Sequence, residues 1–183
     1  MKKAPVLFVL FLAAVSLSAQ SKYLTREGYI KFFSHTPIED IEADLSNAAS
    51  IIDSETGEVI ITMQMEDFTF EKKLMQEHFN ENYVESEKYP KASFKGFISN
   101  NADVDYSSEG TYNVLVKGDM TIHGVTNAME TYGTLQVRGG SITARAAFII
   151  EPADYKIEIP KIVRNKIAKE VEVTVEMEYE VME

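Results

Sequence analysis

Near the C-terminus, Val171, Val173, Val175, Met177, Tyr179 and Val181 alternate with Glu172, Thr174, Glu176, Glu178 and Glu180. Successive side chains of a strand point to opposite faces, so this stretch has one apolar face and one charged face. It reads as an antiparallel strand with water on one side, because a strand buried on both faces cannot carry that many carboxylates. The same period of two recurs along the chain. Val59, Ile61, Met63 and Met65 alternate with Ile60, Thr62, Gln64 and Glu66. Tyr112, Val114, Val116, Gly118, Met120 and Ile122 form one face of a long strand, and Leu135 and Val137 belong to the next. Ile142, Ala144, Ala146, Phe148 and Ile150 share a face, as do Ile30, Phe32 and Ser34, and Phe94 and Ile98 lie on a further strand.

Turn residues separate these runs. Ser54-Glu55-Thr56-Gly57 and Arg138-Gly139-Gly140-Ser141 read as hairpin connections. One segment has a different period: Leu74, Met75, His78 and Phe79 recur at three and four, which predicts a short amphipathic helix over 72–79, opened by Thr69 or Glu71. Seven to nine strands with one short helix imply an all-β domain, a closed barrel or a sandwich, and the long strands favour the barrel. A barrel of about eight strands encloses one small ligand or fills its interior with side chains. The stripes look the same in both cases.

The N-terminus has the layout of a secretory leader: Lys2 and Lys3, an apolar run from Val6 to Val15, then small residues to Ala19. Residues 1–19 are read as a signal peptide and 20–183 as one domain, periplasmic or secreted. The apolar run falls short of the ~20 residues of a membrane span. With no cysteine in the chain, disulfides, thiolate metal sites, thiol catalysis and a lipidated leader are excluded. The formal charge of −11 becomes about −13 without Lys2 and Lys3. Such a charge repels phosphate backbones, so nucleic acid is not the expected partner. It also argues that a lipid ligand would be engulfed rather than met as a membrane surface.

Catalytic patterns are sparse. No Gly-x-Ser-x-Gly elbow, phosphate loop or dinucleotide fingerprint occurs. The 29 acidic residues fall mostly on polar strand faces, where they solvate the surface. His35, His78 and His123 have no helix-face spacing, so a three-histidine metal site would need the fold to gather them.

Three stretches carry a resemblance: Gly28-Tyr29-Ile30-Lys31-Phe32-Phe33-Ser34-His35-Thr36-Pro37, the run from His78 to Gly96 containing Glu85-Ser86-Glu87-Lys88-Tyr89-Pro90, and Gly118-Asp119-Met120-Thr121-Ile122-His123-Gly124-Val125-Thr126. With Asp154-Tyr155-Lys156-Ile157 they resemble the YceI-like family of exported, lipocalin-like proteins over about Gly28 to Val181. The resemblance implies an antiparallel eight-stranded barrel with a helix against it and a polyisoprenoid or other long amphiphile inside. Two departures stand out. Lys156 takes the place of the turn's usual glycine, and Ser34 is small and polar where a large apolar residue is usual.

The expected function is that of a binding protein, not an enzyme, without metal or other cofactor, acting as carrier, store or sensor. The expected apolar wall is Ile30, Phe32, Val59, Ile61, Met63, Phe94, Val114, Val116, Met120, Ile122, Phe148, Val173, Val175 and Met177. His35, His78 and His123 are the head-group candidates. Two alternatives stay open: a metal-assisted hydrolase using the three histidines, and a solid barrel that binds a partner through its acidic exterior. Leu115 and Phe33 on the outer face could support a homodimer.

Overall fold

The alternating stripes curl into a closed barrel. The computed structural model describes residues 22–182; the expected leader, 1–19, lies outside them. The elements are β1 (Lys22–His35), β2 (Asp40–Asp53), β3 (Glu58–Gln64), β4 (Thr69–Phe70), α1 (Lys73–His78), β5 (Lys91–Ile98), β6 (Gly110–Ile122), β7 (Val125–Arg138), β8 (Ser141–Ile150) and β9 (Val171–Val181). Neighbours run antiparallel in the order β1-β9-β8-β7-β6-β5-β3-β2, and β1 pairs with β2 to close the ring. The two-residue β4 is an extra strand on the outer edge of β2. Full closure leaves the eight long strands without a free edge.

The two ends of the barrel are built differently. At one end the strands join by tight connections at 54–57 and 139–140 and by the loop 99–109. Gly57, Gly139 and Gly140 all have positive φ, the conformation such turns require. At the other end lie the turns at 36–39 and 123–124 and two long connections, 65–90 and 151–170, that fold over the opening.

Bulges interrupt β1 between Thr25 and Ile30. Gly28 sits at the kink, where a Cβ would meet the Met177 sulfur and the Ala48 carbonyl, so only a bare backbone lets the strand approach this closely. Gly96 on β5 and Gly118 on β6 are register partners. A Cβ on Gly118 would lie 2.4 Å from the Gly96 Cα, and the Phe94 ring packs over both glycines.

Some expected local features are corrected. β3 ends at Gln64, and Met65 opens a single 3₁₀ turn, although its side chain stays buried. The helix spans Lys73–His78 and widens into a π turn over Phe79–Tyr83. Neither Thr69 nor Glu71 caps it. Lys72 precedes it without a side-chain cap, and the Thr69 hydroxyl donates to the Asp44 carbonyl instead. The Asn80 side-chain oxygen is buried and accepts no hydrogen bond among the described residues; backbone amides of Val84 and Ser86 satisfy the carbonyls of Phe79 and Asn80.

Candidate functional site

The barrel is hollow toward the end with the long connections. A cavity of about 560 Å³ runs inside it, within the ~300–1,000 Å³ typical of small-molecule sites. All fourteen residues of the expected apolar wall line it. The reason is register: opposite partners such as Phe32 and Val173, Ile61 and Phe94, or Phe94 and Met120 share a face, so each inward stripe continues into its neighbour.

At the closed end the interior is packed solid. Tyr179 and Ile142 are almost wholly buried. The hydroxyls of Tyr179 and Ser50 share a 2.7 Å hydrogen bond, and Ser50 donates to the Ile60 carbonyl. Burial raises the Tyr179 phenol well above its usual range despite the opposing bond to Ser50. Tyr106 is raised likewise by burial, stacks on Tyr23 and donates to the Asn101 side chain. Both phenols stay neutral, and of the two it is Tyr179 that lines the cavity.

Toward the mouth the wall becomes aromatic. Phe32 packs against Phe68, Phe70 and Phe79 at centroid separations of 5.3, 5.7 and 5.5 Å. The connection 156–170 folds over this cluster as a strap, turning Ile157, Ile159, Val163 and Ile167 into the cavity. Lys156 starts the strap at φ 58°, a left-handed backbone that explains why glycine is the usual residue there. Ser34 is buried, and its Oγ accepts from the Ala168 amide at 2.9 Å. The small polar residue on β1 therefore anchors the far end of the strap, which a large apolar side chain would not do.

The rim is charged. Glu39 presents one carboxylate oxygen to Lys72 at 3.3 Å and the other to Lys166 at 3.7 Å. One side chain thus ties the 36–39 turn to the helix start and to the strap, and all three residues border the cavity. Aromatics, strap and rim were missed by periodicity because they sit in irregular connections. The apolar Ile157, Ile159, Val163 and Ile167 in a basic segment were the one available signal.

Of the histidines, only His78 borders the cavity. His35 is exposed, pairs with Asp40 at 2.6 Å and stacks on Phe33. His123 sits in the β6–β7 turn at φ 51°. Its Nε2 is hydrogen-bonded with the Glu85 carboxylate at 2.7 Å, its Nδ1 lies 3.0 Å from the Tyr155 carbonyl oxygen, and the Tyr89 ring meets it edge-on. A Cβ on the neighbouring Gly124 would collide with the Tyr89 ring. Three of the resembling stretches therefore meet around His123 as a structural clasp. Among the described residues no three His, Asp or Glu side chains are grouped to hold a metal ion, so the histidines do not form the donor set that the hydrolase alternative needs.

A family model of the YceI-like domain matches residues 22–179. No curated protein matches the chain. Among solved structures, a polyisoprenoid binding domain from Saccharophagus degradans superposes with a TM-score of 0.77 at 17% identity, covering 89% of this chain and 99% of that one. BcnA from Burkholderia cenocepacia gives 0.68 at 16% identity over 82% and 95%. A YceI protein from Campylobacter jejuni gives 0.54 at 15% identity over 100% and 99%.

Proposed function

The chain belongs to the YceI-like family, and on that premise we propose that it is a binding protein holding a long apolar molecule, a polyisoprenoid or comparable lipid, inside its barrel. The observation that carries this reading is the hollow interior of about 560 Å³ walled by apolar side chains. Hydrocarbon taken from water into such a space gains ~25 cal/mol per Å² of apolar surface buried. Met63, Met120 and Met177 give the wall unbranched, adaptable side chains suited to a flexible chain. The neighbour from Saccharophagus degradans, described as polyisoprenoid-binding, supports the ligand class. The leader-like N-terminus supports action in the periplasm or outside the cell, as carrier, store or sensor. Catalysis forms no part of this reading.

Native mass spectrometry of protein purified from its own host tests it, together with titration by an apolar fluorescent probe. A co-purifying lipid and saturable probe binding are expected. Ala144 faces the cavity, so Ala144→Phe fills it from within. The variant should abolish probe binding while its thermal unfolding stays cooperative. If the wild-type protein carries no lipid and takes up no probe, the reading fails.

A further inference from the structure

The cavity has a stop at each end. At the floor, Met177 and Tyr179 line it and are both 1% exposed. Tyr179 is fixed there by its 2.7 Å hydrogen bond with Ser50. Met177 lies against the bare backbone of Gly28, where an added Cβ would collide with its sulfur. A guest that reached deeper would have to strand two buried hydroxyls and part a close-packed core.

At the mouth the strap is tied at both ends. The Ile157 amide donates to the Pro152 carbonyl at 3.1 Å, and the Ala168 amide donates to Ser34 at 2.9 Å. Lys166 adds its bond to Glu39. Between these ties Ile159 and Val163 border the cavity. A guest that pushed past the strap would lift those side chains into water.

The space between the stops therefore limits the guest. A cavity of ~150 Å³ holds the carbons of benzene, roughly 25 Å³ for each. At that packing the cavity of about 560 Å³ takes roughly 20 carbons, about four isoprene units.

We propose that the barrel is a ruler: it accepts a hydrocarbon chain of up to about 20 carbons and excludes much longer ones, with Met177 and Tyr179 as the stop. This rests on the reading that the interior holds an apolar chain, and it narrows that reading from a class of lipid to a length. Ala144 and Met177 are register partners one layer above Ile142 and Tyr179. Substitutions there move the stop without touching the strap or the rim: Ala144→Leu raises it and Met177→Ala lowers it.

The protein is incubated with phosphatidylcholine vesicles carrying farnesol, geranylgeraniol, geranylfarnesol or solanesol at equal mole fraction, and adducts are counted by native mass spectrometry. Uptake from a bilayer compares two apolar surroundings, so a chain that fits loses little by moving. Farnesol and geranylgeraniol, of three and four isoprene units, should load to similar extents. Solanesol, of nine, leaves much of its chain uncovered and should load ~100-fold less. Ala144→Leu should lower the loading of geranylgeraniol ~10-fold while farnesol loads as before. Met177→Ala should raise that of geranylfarnesol, of five units, ~10-fold. Thermal unfolding checks that each variant is folded, and Ala144→Leu carries the test if Met177→Ala is not. Solanesol loading like geranylgeraniol overturns the ruler and leaves the apolar-chain reading standing. So does an unchanged length preference in a folded variant, or a loss in Ala144→Leu shared equally by farnesol and geranylgeraniol. If no isoprenol loads, the ruler falls, and binding of the apolar fluorescent probe then decides whether the wider reading falls with it.

Discussion

The two ends of this barrel use the same strands for opposite purposes. At the closed end, tight connections bring Tyr23, Ile142 and Tyr179 into a solid core, and a buried polar pair, Ser50 with Tyr179, is hydrogen-bonded. At the mouth, the strands diverge from any such plug, and long connections supply a cover of phenylalanines, a strap and a salt-bridged rim. A filled end gives the fold its stability, and the empty end is then free to be shaped by something other than stability. The division shows why inward stripes of similar composition need not be energetically equal along one strand.

The sharpest way to break that comparison is to delete similar side chains at each end. Ile142 is fully buried in the closed end. Ile142→Ala leaves a void in close-packed surroundings and should cost ~2–5 kcal/mol. Ile122 faces the cavity near the mouth, where its side chain already borders space. Ile122→Ala should cost about 1 kcal/mol or less, since little cavity is added to one that exists. Urea unfolding of both variants checks the contrast. Equal losses would mean that the mouth is packed as tightly as the floor.

A smaller effect is expected midway, at the β5–β6 glycine pair. A Cβ on Gly118 would fall 2.4 Å from both the Gly96 Cα and the Lys95 carbonyl. These are backbone atoms, so no rotamer change relieves the clash. Gly118→Ala should destabilise the barrel by about 1–3 kcal/mol. Gly139→Ala, in a turn with nothing within 4 Å of the new Cβ, meets no such obstacle; its cost is confined to backbone strain at φ 58°. Thermal unfolding of the two variants separates steric from conformational glycines.

Much of the wall was legible because a strand's period is rigid. Once Val173, Val175 and Met177 alternate with polar neighbours, their common face is fixed, and the stripe of β8 that pairs with them follows from the same rule. Whether that face encloses space was not legible. Emptiness depends on strand number and on how far the connections reach, and neither leaves a periodic trace. The rim was hidden for the same reason. Glu39, Lys72 and Lys166 are far apart in sequence and meet only because two connections fold over one opening. The histidines drew attention as rare and versatile residues, yet His123 proved to be a clasp and His35 a surface pair. Gly124 beside His123 leaves room for the Tyr89 ring, an approach that a Cβ would block.

The subtlest test of the comparison uses acid. At the mouth, the hydrogen bond from His123 holds the Glu85 carboxyl below its ordinary range, with help from nearby Lys88. A depressed carboxylate stabilises the fold above its ordinary pKa, near 4.5, and that contribution is lost as pH falls through the lowered value. At the closed end, Asp105 is pushed down to about 2 by the hydroxyls of Ser107 and Ser108 and by their amides. Its contribution therefore persists into stronger acid, and the buried phenols there do not ionise. Lowering the pH from neutral should loosen the His123 clasp before the 99–109 loop. Amide protection factors at the β6–β7 turn, corrected for intrinsic exchange, should fall below about pH 4.5 while those around Ser107 hold. Glu85→Gln removes the carboxylate and should leave the turn's protection independent of pH across that window. Simultaneous loss of protection at both ends would instead mean that the barrel opens as one unit, with no separate response at the mouth.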